Sequence, residues 1–321
     1  MTDAEESPSP VREGGRAALV EAARLSIARG SKSFGMASTL FDRATRERAW
    51  LLYAWCRASD DLADGQEMGH NMQVVADPAA RLAKIRERTA AALAGETTGD
   101  PAFDGFGVVA RECAIPERLA QDLIDGFALD AEGWRPRSED DLFRYCYHVA
   151  GAVGVMMALV MGVSPDDEAT LDRACDLGLA FQLANIARDI CEDDAAGRCY
   201  LPTEWLAEMD IPPGEHMKTA YRKRLAVLAQ RLARLAADYE ASARFGAAAL
   251  PFRSAWAVLA AAGIYGDIAR EVAKQGEHAW DHRVHTSKAA KLGWVVKAGW
   301  QALTRGGAST RSPKLWTRPR R

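Results

Sequence analysis

Helix signals recur along almost the whole of this sequence, whereas the strand-like alternation of Val, Ile and Thr is nearly absent. Alanine, the residue with the highest intrinsic helix propensity, is abundant throughout. Asp77-Pro78 has the form of a helix N-cap followed by an N1 proline, and Ser138 with Asp141 has the spacing of a capping box. The pattern therefore predicts an all-α protein.

The predicted helices follow one another without a tandem repeat or a break in composition. They cover residues 17–30, 43–64 behind the cap Asp42, 78–94, 101–113, 116–130, 139–163, 164–194, 216–248, 252–279 and 287–304. We therefore predict a single all-helical domain over residues 17–304. A disordered, Pro- and Ser-rich lead-in, residues 1–16, is predicted before this domain, and a basic tail, residues 305–321, after it.

Composition narrows the classes of protein that fit. Hydrophobic residues make up 48% of the 321 residues, charged residues 26%, and the net charge is -3, which describes a soluble globular protein and gives no reason to expect nucleic-acid binding. The six cysteines contain no C-x-x-C pair, so reduced thiols and a cytoplasmic location are predicted. The apolar stretch Val149–Val163 is shorter than the roughly 20 residues that cross a bilayer, which favours a buried helix.

Two aspartate clusters interrupt otherwise apolar helical sequence, "ASDDLADG" at 58–65 and "ARDICEDDAAG" at 187–197. On a helix, residues three or four apart share a face. The first stripe consists of Tyr53, Arg57, Asp60 and Asp64, and the second of Gln182, Asn185, Asp189 and Asp193, with Arg188 beside it. Each stripe thus combines carboxylate oxygens with a cation or an amide.

Like charges this close repel on a bare helix, so another group must offset the repulsion. Mg²⁺ prefers oxygen ligands and is usually held by one or two carboxylates plus substrate phosphates. Two stripes facing each other across a helical cavity would bind metal ions and a diphosphate, with arginines on the phosphate oxygens. The alternative is a pair of solvated acidic faces, but acids near a helix C-terminus oppose the macrodipole and are poor candidates for stability alone.

Other candidate sites are weaker. His278 and His282 lie four apart, as in a zinc pair, but lack the glutamate of H-E-x-x-H. Neither G-x-x-x-x-G-K-[ST] nor G-x-G-x-x-G occurs, so the sequence contains no nucleotide-binding loop of those types.

Several blocks of sequence, in order, resemble the squalene/phytoene synthase family. They are "YAWCRASDDLAD", "RYCYHVAGAVGVMMALVMGV", "ATLDRACDLGLAFQLANIARDI", "GRCYLPTEWL" and "LPFRSAWAVLAAAGIYGDIAREV", and the likeness covers roughly residues 25–290. The resemblance implies the all-α isoprenoid synthase fold around a central cavity, with Mg²⁺ or Mn²⁺ as cofactor and no NADPH.

The resemblance also assigns roles to individual residues. It implies metal binding by Asp60, Asp64, Asn185, Asp189 and Asp193. Contacts to substrate are implied for Ser31, Lys32, Ser33, Tyr53, Arg57, Gln182, Asn185, Arg188, Tyr265 and Arg283. Tyr145 is one of several aromatic residues that could line the cavity. Asp60, Asp64, Asp189, Asp193, Arg57 and Tyr53 are the expected catalytic residues.

The implied reaction joins two geranylgeranyl diphosphates head to head, through prephytoene diphosphate, to give phytoene and diphosphate. A synthase that makes a C30 product from farnesyl diphosphate is the nearest alternative, and a non-catalytic lipid-binding relative is a further one. After Asp281 the chain is free of acids and rich in Lys and Arg. Apolar residues recur there at helical spacing, namely Leu292, Val295, Val296 and Leu303, with Trp294, Trp300 and Trp316 nearby. The same pattern suits either peripheral contact with an anionic membrane or a solvated basic tail.

Overall fold

A computed structural model describes residues 10–30, 32–65, 77–307 and 309–320. The described residues form helices and no strand, which confirms the predicted all-α class. The chain forms two compact units, residues 1–117 and 118–321. The single domain predicted over residues 17–304 stays a prediction.

The first unit contains five helices built around α3. They are α1 (Pro10–Gly30), α2 (Lys32–Ser38), α3 (Arg43–Asp64), α4 (Pro78–Ala94) and α5 (Pro101–Glu112). Trp55 of α3 lies at the centre of this unit, because its ring stacks on Phe106 at 3.9 Å and its indole N–H donates to Thr89 Oγ1 at 3.2 Å. The face of α3 that carries Trp55 is therefore held in the core.

The second unit is assembled around the long helix α9. Its α-helices are α6 (Glu117–Ala131), α7 (Glu139–Cys146), α8 (Ala152–Val160), α9 (Glu168–Ala195), α10 (Thr203–Glu208), α11 (Arg222–Gly246), α12 (Phe252–Gln275) and α13 (Lys288–Thr304). A π-helical turn, Tyr147–Gly151, joins α7 to α8. Helices α8, α11 and α12 all pack against α9, and α13 packs on α12.

Glycine lets α8 and the π-helical turn before it approach α9 backbone to backbone. A Cβ atom added at Gly178 of α9 would lie 2.3 Å from the carbonyl oxygen of Ala150, and one added at Gly154 of α8 would lie 2.3 Å from that of Ala174. Both distances are far below normal contact. The position of α9, which carries the second aspartate stripe, therefore depends on the absence of a side chain at Gly154 and Gly178.

Most predicted helix ends are confirmed by their caps. Asp42 accepts a hydrogen bond from Thr45 N at 3.0 Å, Ser138 and Asp141 form the complete capping box, and Asp77 caps α4 ahead of Pro78. Gly65 ends α3 in the left-handed conformation, with φ of 64°.

Three predicted boundaries are wrong. The helix predicted from residue 17 begins at Pro10, so residues 10–16 of the expected disordered lead-in are helical. The helix expected from Ser164-Pro165 begins at Glu168, because Asp167 caps it while Ser164 Oγ accepts from Asp166 N in a turn. The segment expected to be helical from residue 216 enters α11 only at Arg222.

The C-terminal segment, residues 309–320, packs on α9 of the second unit. Arg311 forms a two-pronged ion pair with the buried carboxylate of Asp176, at 2.8 and 2.7 Å. The buried Arg318 pairs with Glu168 and lies 3.0 Å from Asp172. The basic residues at the chain end therefore neutralise acids of the central helix.

The apolar stretch around residues 149–163 forms part of the core. Among the described residues one helical run, Glu139–Val160, has the length and hydropathy of a membrane span, but 61% of its apolar window is buried inside the protein. This matches the predicted buried helix. All six cysteines are free thiols, and Cys146, Cys175 and Cys199 are buried.

Candidate active site

The first aspartate stripe lies on the C-terminal half of α3 with the side chains ordered as predicted. Arg57 Nη1 donates to Asp60 Oδ2 at 2.7 Å. The Arg57 guanidinium lies 6.0 Å from the centroid of the Tyr53 ring, which in turn stacks on Phe34 at 4.9 Å. Tyr53, Arg57 and Asp60 are thus neighbours on one face of the helix, and Asp64 follows one turn later.

The "GSKSF" stretch falls mostly outside the described side chains. Ser31 lies outside the described residues, and Lys32 and Ser33 are described only as backbone at the start of α2. Gly30 just before them approaches the first stripe closely, since a Cβ there would lie 3.1 Å from the Tyr53 hydroxyl. The substrate contacts expected for Ser31, Lys32 and Ser33 stay predictions.

The second stripe lies on α9 and has Asp189 at its centre. Arg188 donates two hydrogen bonds to the Asp189 carboxylate, at 2.6 and 2.5 Å, and Arg283 reaches the same carboxylate at 2.9 Å. A hydrogen bond from the Trp280 indole to the Ala187 carbonyl, at 3.1 Å, fixes the chain ahead of Arg283 against α9. Two arginines from distant parts of the sequence therefore converge on one carboxylate.

Asp193, one turn beyond Asp189, is held in an unfavourable environment for a charge. Burial raises the pKa of Asp193 to about 7, and the negative charge of Asp189 adds to the rise. One turn before Asp189, the side-chain oxygen of Asn185 is buried and has no hydrogen-bond partner. A buried acceptor without a donor costs free energy that a ligand can recover.

These groups fit a hard divalent cation. Mg²⁺ and Mn²⁺ prefer oxygen ligands. The Asp193 carboxylate, destabilised by the charge of Asp189, and the unpaired Asn185 side-chain oxygen are ligands of this kind. Within the described ranges no group of three or more His, Cys, Asp or Glu side chains is arranged to hold a metal ion. One or two carboxylates with phosphate oxygens are enough for Mg²⁺, so Asn185, Asp189 and Asp193 are the residues that would hold it.

Tyr145 belongs to an aromatic cluster that the sequence did not reveal in full. Its hydroxyl donates to Asp130 at 3.0 Å, the Tyr200 hydroxyl donates to the same carboxylate at 2.8 Å, and the two rings stack at 4.7 Å. Asp130 and Tyr200 were missed because no spacing rule links them to each other. Burial, together with the charge of Asp130, raises the pKa of both tyrosines, which keeps them as hydroxyl donors.

His216 is a second residue that sequence reasoning missed. It is buried, its Nε2 lies 3.4 Å from Asp194 Oδ1, and burial lowers its pKa. It lines a small cavity together with Asp193 and Tyr200. In the sequence it is only the first residue of a predicted helix that follows Pro212-Pro213, which indicates no function. In the weaker candidate pair, His278 and His282, the Nδ1 atom of His278 lies 2.9 Å from Asp281 Oδ2.

The remaining predicted residues lie near the second stripe. Tyr265 of α12 stacks on Phe181 of α9 at 4.2 Å, and Gln182 follows Phe181 on α9. The first stripe lies in the first unit. The second unit contains the second stripe together with Tyr145, Tyr265 and Arg283. That the two stripes share one cavity stays a prediction.

Residues 27–290 match the family model for squalene/phytoene synthase. The chain is 46% identical to a phytoene synthase of Pseudescherichia vulneris and 46% identical to a 15-cis-phytoene synthase of a Paracoccus strain. Both alignments cover 94% of this chain and 98% of the relative.

Solved structures give the same fold. A dehydrosqualene synthase in complex with a ligand superimposes with a TM-score of 0.81 at 25% identity, covering 92% of this chain and 100% of that one. A squalene synthase from Alicyclobacillus acidocaldarius, at 23% identity, gives a TM-score of 0.71 over 84% of this chain and 97% of its own. The likeness in structure thus extends over nearly the whole length of both.

Proposed function

Because the chain belongs to the squalene/phytoene synthase family, we propose that it is a 15-cis-phytoene synthase, which joins two geranylgeranyl diphosphates in the first committed step of carotenoid biosynthesis. The observation that carries this proposal is the 46% identity to phytoene synthases over almost the full length of both chains. The C30 synthases resemble this chain in structure at only 25% identity or less. The longer substrate is therefore favoured.

The protein's own part in the reaction begins with binding of the diphosphate. Arg57, Arg188 and Arg283 each pair with an aspartate of a stripe, so each is already oriented beside the oxygen ligands. A planar guanidinium binds two phosphate oxygens at once, which suits a leaving diphosphate. A bound Mg²⁺ or Mn²⁺ would supply Lewis-acid stabilisation of the charge on that diphosphate.

The reaction consists of two ionisations. In the first, the allylic C–O bond of one substrate breaks, diphosphate leaves, and the double bond of the second substrate attacks the allylic cation; loss of a proton closes the cyclopropane of prephytoene diphosphate. In the second, the remaining diphosphate leaves, the cation rearranges and a proton is lost to give phytoene. Each step loses a proton and none needs a hydride, so NADPH is not required.

The cations must be kept from water, which would capture them as alcohols. Phe181 lies on α9, the helix that carries Asp189, and Tyr265 of α12 stacks on its ring. An aromatic face is attractive to a cation. The Tyr145 and Tyr200 hydroxyls are bound to Asp130, which leaves their rings as apolar surface. These side chains are the candidate walls of the hydrocarbon channel.

The test is incubation of the full chain with labelled geranylgeranyl or farnesyl diphosphate and Mg²⁺, with and without NADPH, followed by chromatography of the products. We expect phytoene from the C20 substrate, unchanged by NADPH and abolished by a chelator until Mg²⁺ or Mn²⁺ is restored. Squalene formed from farnesyl diphosphate on addition of NADPH would refute the proposal. Absence of any turnover with either substrate would favour a non-catalytic lipid-binding relative.

We also propose a cytoplasmic location. The free state of all six cysteines supports it, since a reducing compartment keeps thiols unpaired. Fractionation of cells followed by immunodetection tests the location directly, and recovery of the protein in a periplasmic fraction would contradict it.

A further inference from the structure

Helix α13 exposes large apolar side chains instead of burying them. Leu292, Val296, Trp300 and Leu303 are 65%, 68%, 69% and 68% exposed, more than any other large apolar side chain in the described part of the chain. All four lie on this one helix of 17 residues. An exposed apolar patch of this kind usually marks an interaction surface.

The four side chains form one continuous face. At about 100° per residue they fall within a sector of about 80° along a helix about 25 Å long. The side toward α12 is occupied by small residues and one ring: Ala298 and Ala302 are fully buried, and the Trp294 ring packs against Gly263 of α12. The helix therefore docks through its small residues and presents its large ones outward, the reverse of a surface helix in a soluble protein. We call the four exposed side chains the apolar face.

Positive charges border the apolar face. By the same geometry Lys288 and Lys297 fall on opposite sides of the sector, within about 60° of its edges. The Lys297 ammonium lies 4.4 Å from the centroid of the Trp294 ring, so its stem runs along the flank of the helix. The sequence contains no Asp or Glu between residue 282 and the C-terminus. Lysines beside an apolar strip can reach phosphate groups while the strip enters the acyl boundary.

A lipid surface fits this face better than a second copy of the chain. A stable dimer buries about 800 Å² on each partner, which four side chains of a single helix do not supply. Two copies of α13 would also bring lysines together with no acid on the same helix to pair with them. An anionic bilayer supplies both the negative charge and an apolar layer of unlimited extent.

We propose that the apolar face of α13, with Lys288 and Lys297 on its flanks, lies on the surface of an anionic membrane. The arginines of residues 309–320 are paired with acids of α9, so the contact belongs to α13 and not to the chain end. The proposal does not depend on which prenyl diphosphate the enzyme uses.

Flotation of the full chain with vesicles of phosphatidylcholine containing phosphatidylglycerol tests the proposal. We expect binding that requires the anionic lipid and weakens as salt is raised. The double variant Val296→Glu, Trp300→Glu should lower the partition coefficient at least about tenfold, because two carboxylates replace apolar groups at the interface. Val227→Glu on α11, also at an exposed apolar position (44%), is the matched control and should bind as the unmodified protein does.

The charged flanks can be tested separately. Lys288→Gln with Lys297→Gln should reduce the dependence of binding on salt, whereas Lys223→Gln on α11 should not. Circular dichroism confirms that each variant is folded. Equal vesicle binding by the double glutamate variant, or no binding of the unmodified protein to anionic vesicles, would overturn the proposal. Light scattering that shows a dimer, dissociated by the glutamate variant, would assign the face to a second copy instead.

Discussion

At the scale of single residues, burial of Asp193 on α9 links the stability of the protein to pH. Asp193 has a pKa of about 7, raised by burial and then by the charge of Asp189, whereas an aspartate in an unfolded chain titrates near 3.8. Between those two values the folded protein holds a proton that the unfolded chain has released. The contribution of Asp193 to stability is therefore lost as pH rises from about 4 to about 7.

Replacement of Asp193 by Asn should remove this dependence. Without added divalent cation, the free energy of unfolding of Asp193→Asn at pH 8 should exceed that of the unmodified protein by on the order of a few kcal/mol. At pH 4 the two proteins should unfold at nearly the same urea concentration. Urea titrations at several pH values measure the difference. Asp166→Asn, at an exposed carboxyl, should show no such trend. A gain that is equal at both pH values would mean that the pKa of Asp193 is not raised.

Asp189 should matter more for turnover than for stability. Asp189→Asn keeps the shape and an acceptor for Arg188 but loses a charge, so the rate should fall at least about a hundredfold, since metal stabilisation of a leaving group is worth several kcal/mol. The free energy of unfolding should change by less than about 2 kcal/mol. Glu192→Gln, on the same helix and half-exposed beside Arg283, should retain most of the activity. Normal turnover by Asp189→Asn would show that Asp189 does not bind the metal.

The residues of each stripe were predictable because helical periodicity alone puts positions three or four apart on one face. Asp130 and Tyr200 were not, since their contact with Tyr145 joins α6, α7 and a loop. The same holds for His216 beside Asp194. Local spacing carries no information about such tertiary contacts.

At the scale of secondary-structure elements, the packing of α8 on α9 depends on glycine. Gly178→Ala would place a methyl group 2.3 Å from the Ala150 carbonyl, and backbone atoms can yield only by moving the helices apart. We expect a loss of about 1–3 kcal/mol in the free energy of unfolding. Thermal unfolding followed by circular dichroism measures it.

Gly293 of α13 provides the matched control. No atom lies within 4 Å of a Cβ atom built there, so Gly293→Ala should stabilise the protein by about 0.5–1 kcal/mol through helix propensity. Opposite signs for the two glycine substitutions are the expected result. A stabilising Gly178→Ala would show that α8 and α9 are not packed this closely.

Helix ends were predicted well where a side chain caps the helix itself, as at Asp42 and Ser138. They were predicted poorly where two caps compete, as at Ser164 and Asp167. The π-helical turn Tyr147–Gly151 left no signal in the sequence that we could use. It lies where Gly151 and Gly154 bring α8 against α9, so tertiary packing is the better explanation of its position.

At the scale of the whole molecule, the basic chain end is a structural part of the second unit. Sequence alone left open whether residues 305–321 are solvated or bind a membrane, because the acids that receive them lie within α9 and look like ordinary helix positions. Burial raises the pKa of Asp176, and hydrogen bonds from Arg311 oppose that rise. Removal of the segment would leave Asp172 and Asp176 without their counter-charges.

Truncation after Gly307 should therefore destabilise the protein. Breaking a buried ion pair from one side costs about 3–5 kcal/mol, which corresponds to a fall of about 6–20 °C in the melting temperature of a unit of this size. Lys314→Gln, at an exposed position in the same segment, should leave the melting temperature unchanged. If the truncated protein has the same melting temperature as the full chain, the ion pairs on α9 contribute nothing to stability. Vesicle binding of a folded truncated protein should persist, since the apolar face of α13 is intact.

The pairing of Arg311 with Asp176 also constrains when the protein can mature on the ribosome. The two residues are 135 positions apart, so Arg311 is synthesised well after Asp176. At about 5–20 residues per second, Asp176 is made about 7–27 s before its partner exists. During that interval the nascent second unit holds acids that cannot yet be buried at low cost. The final packing of α9 must therefore wait until Arg311 has been synthesised and can reach Asp176.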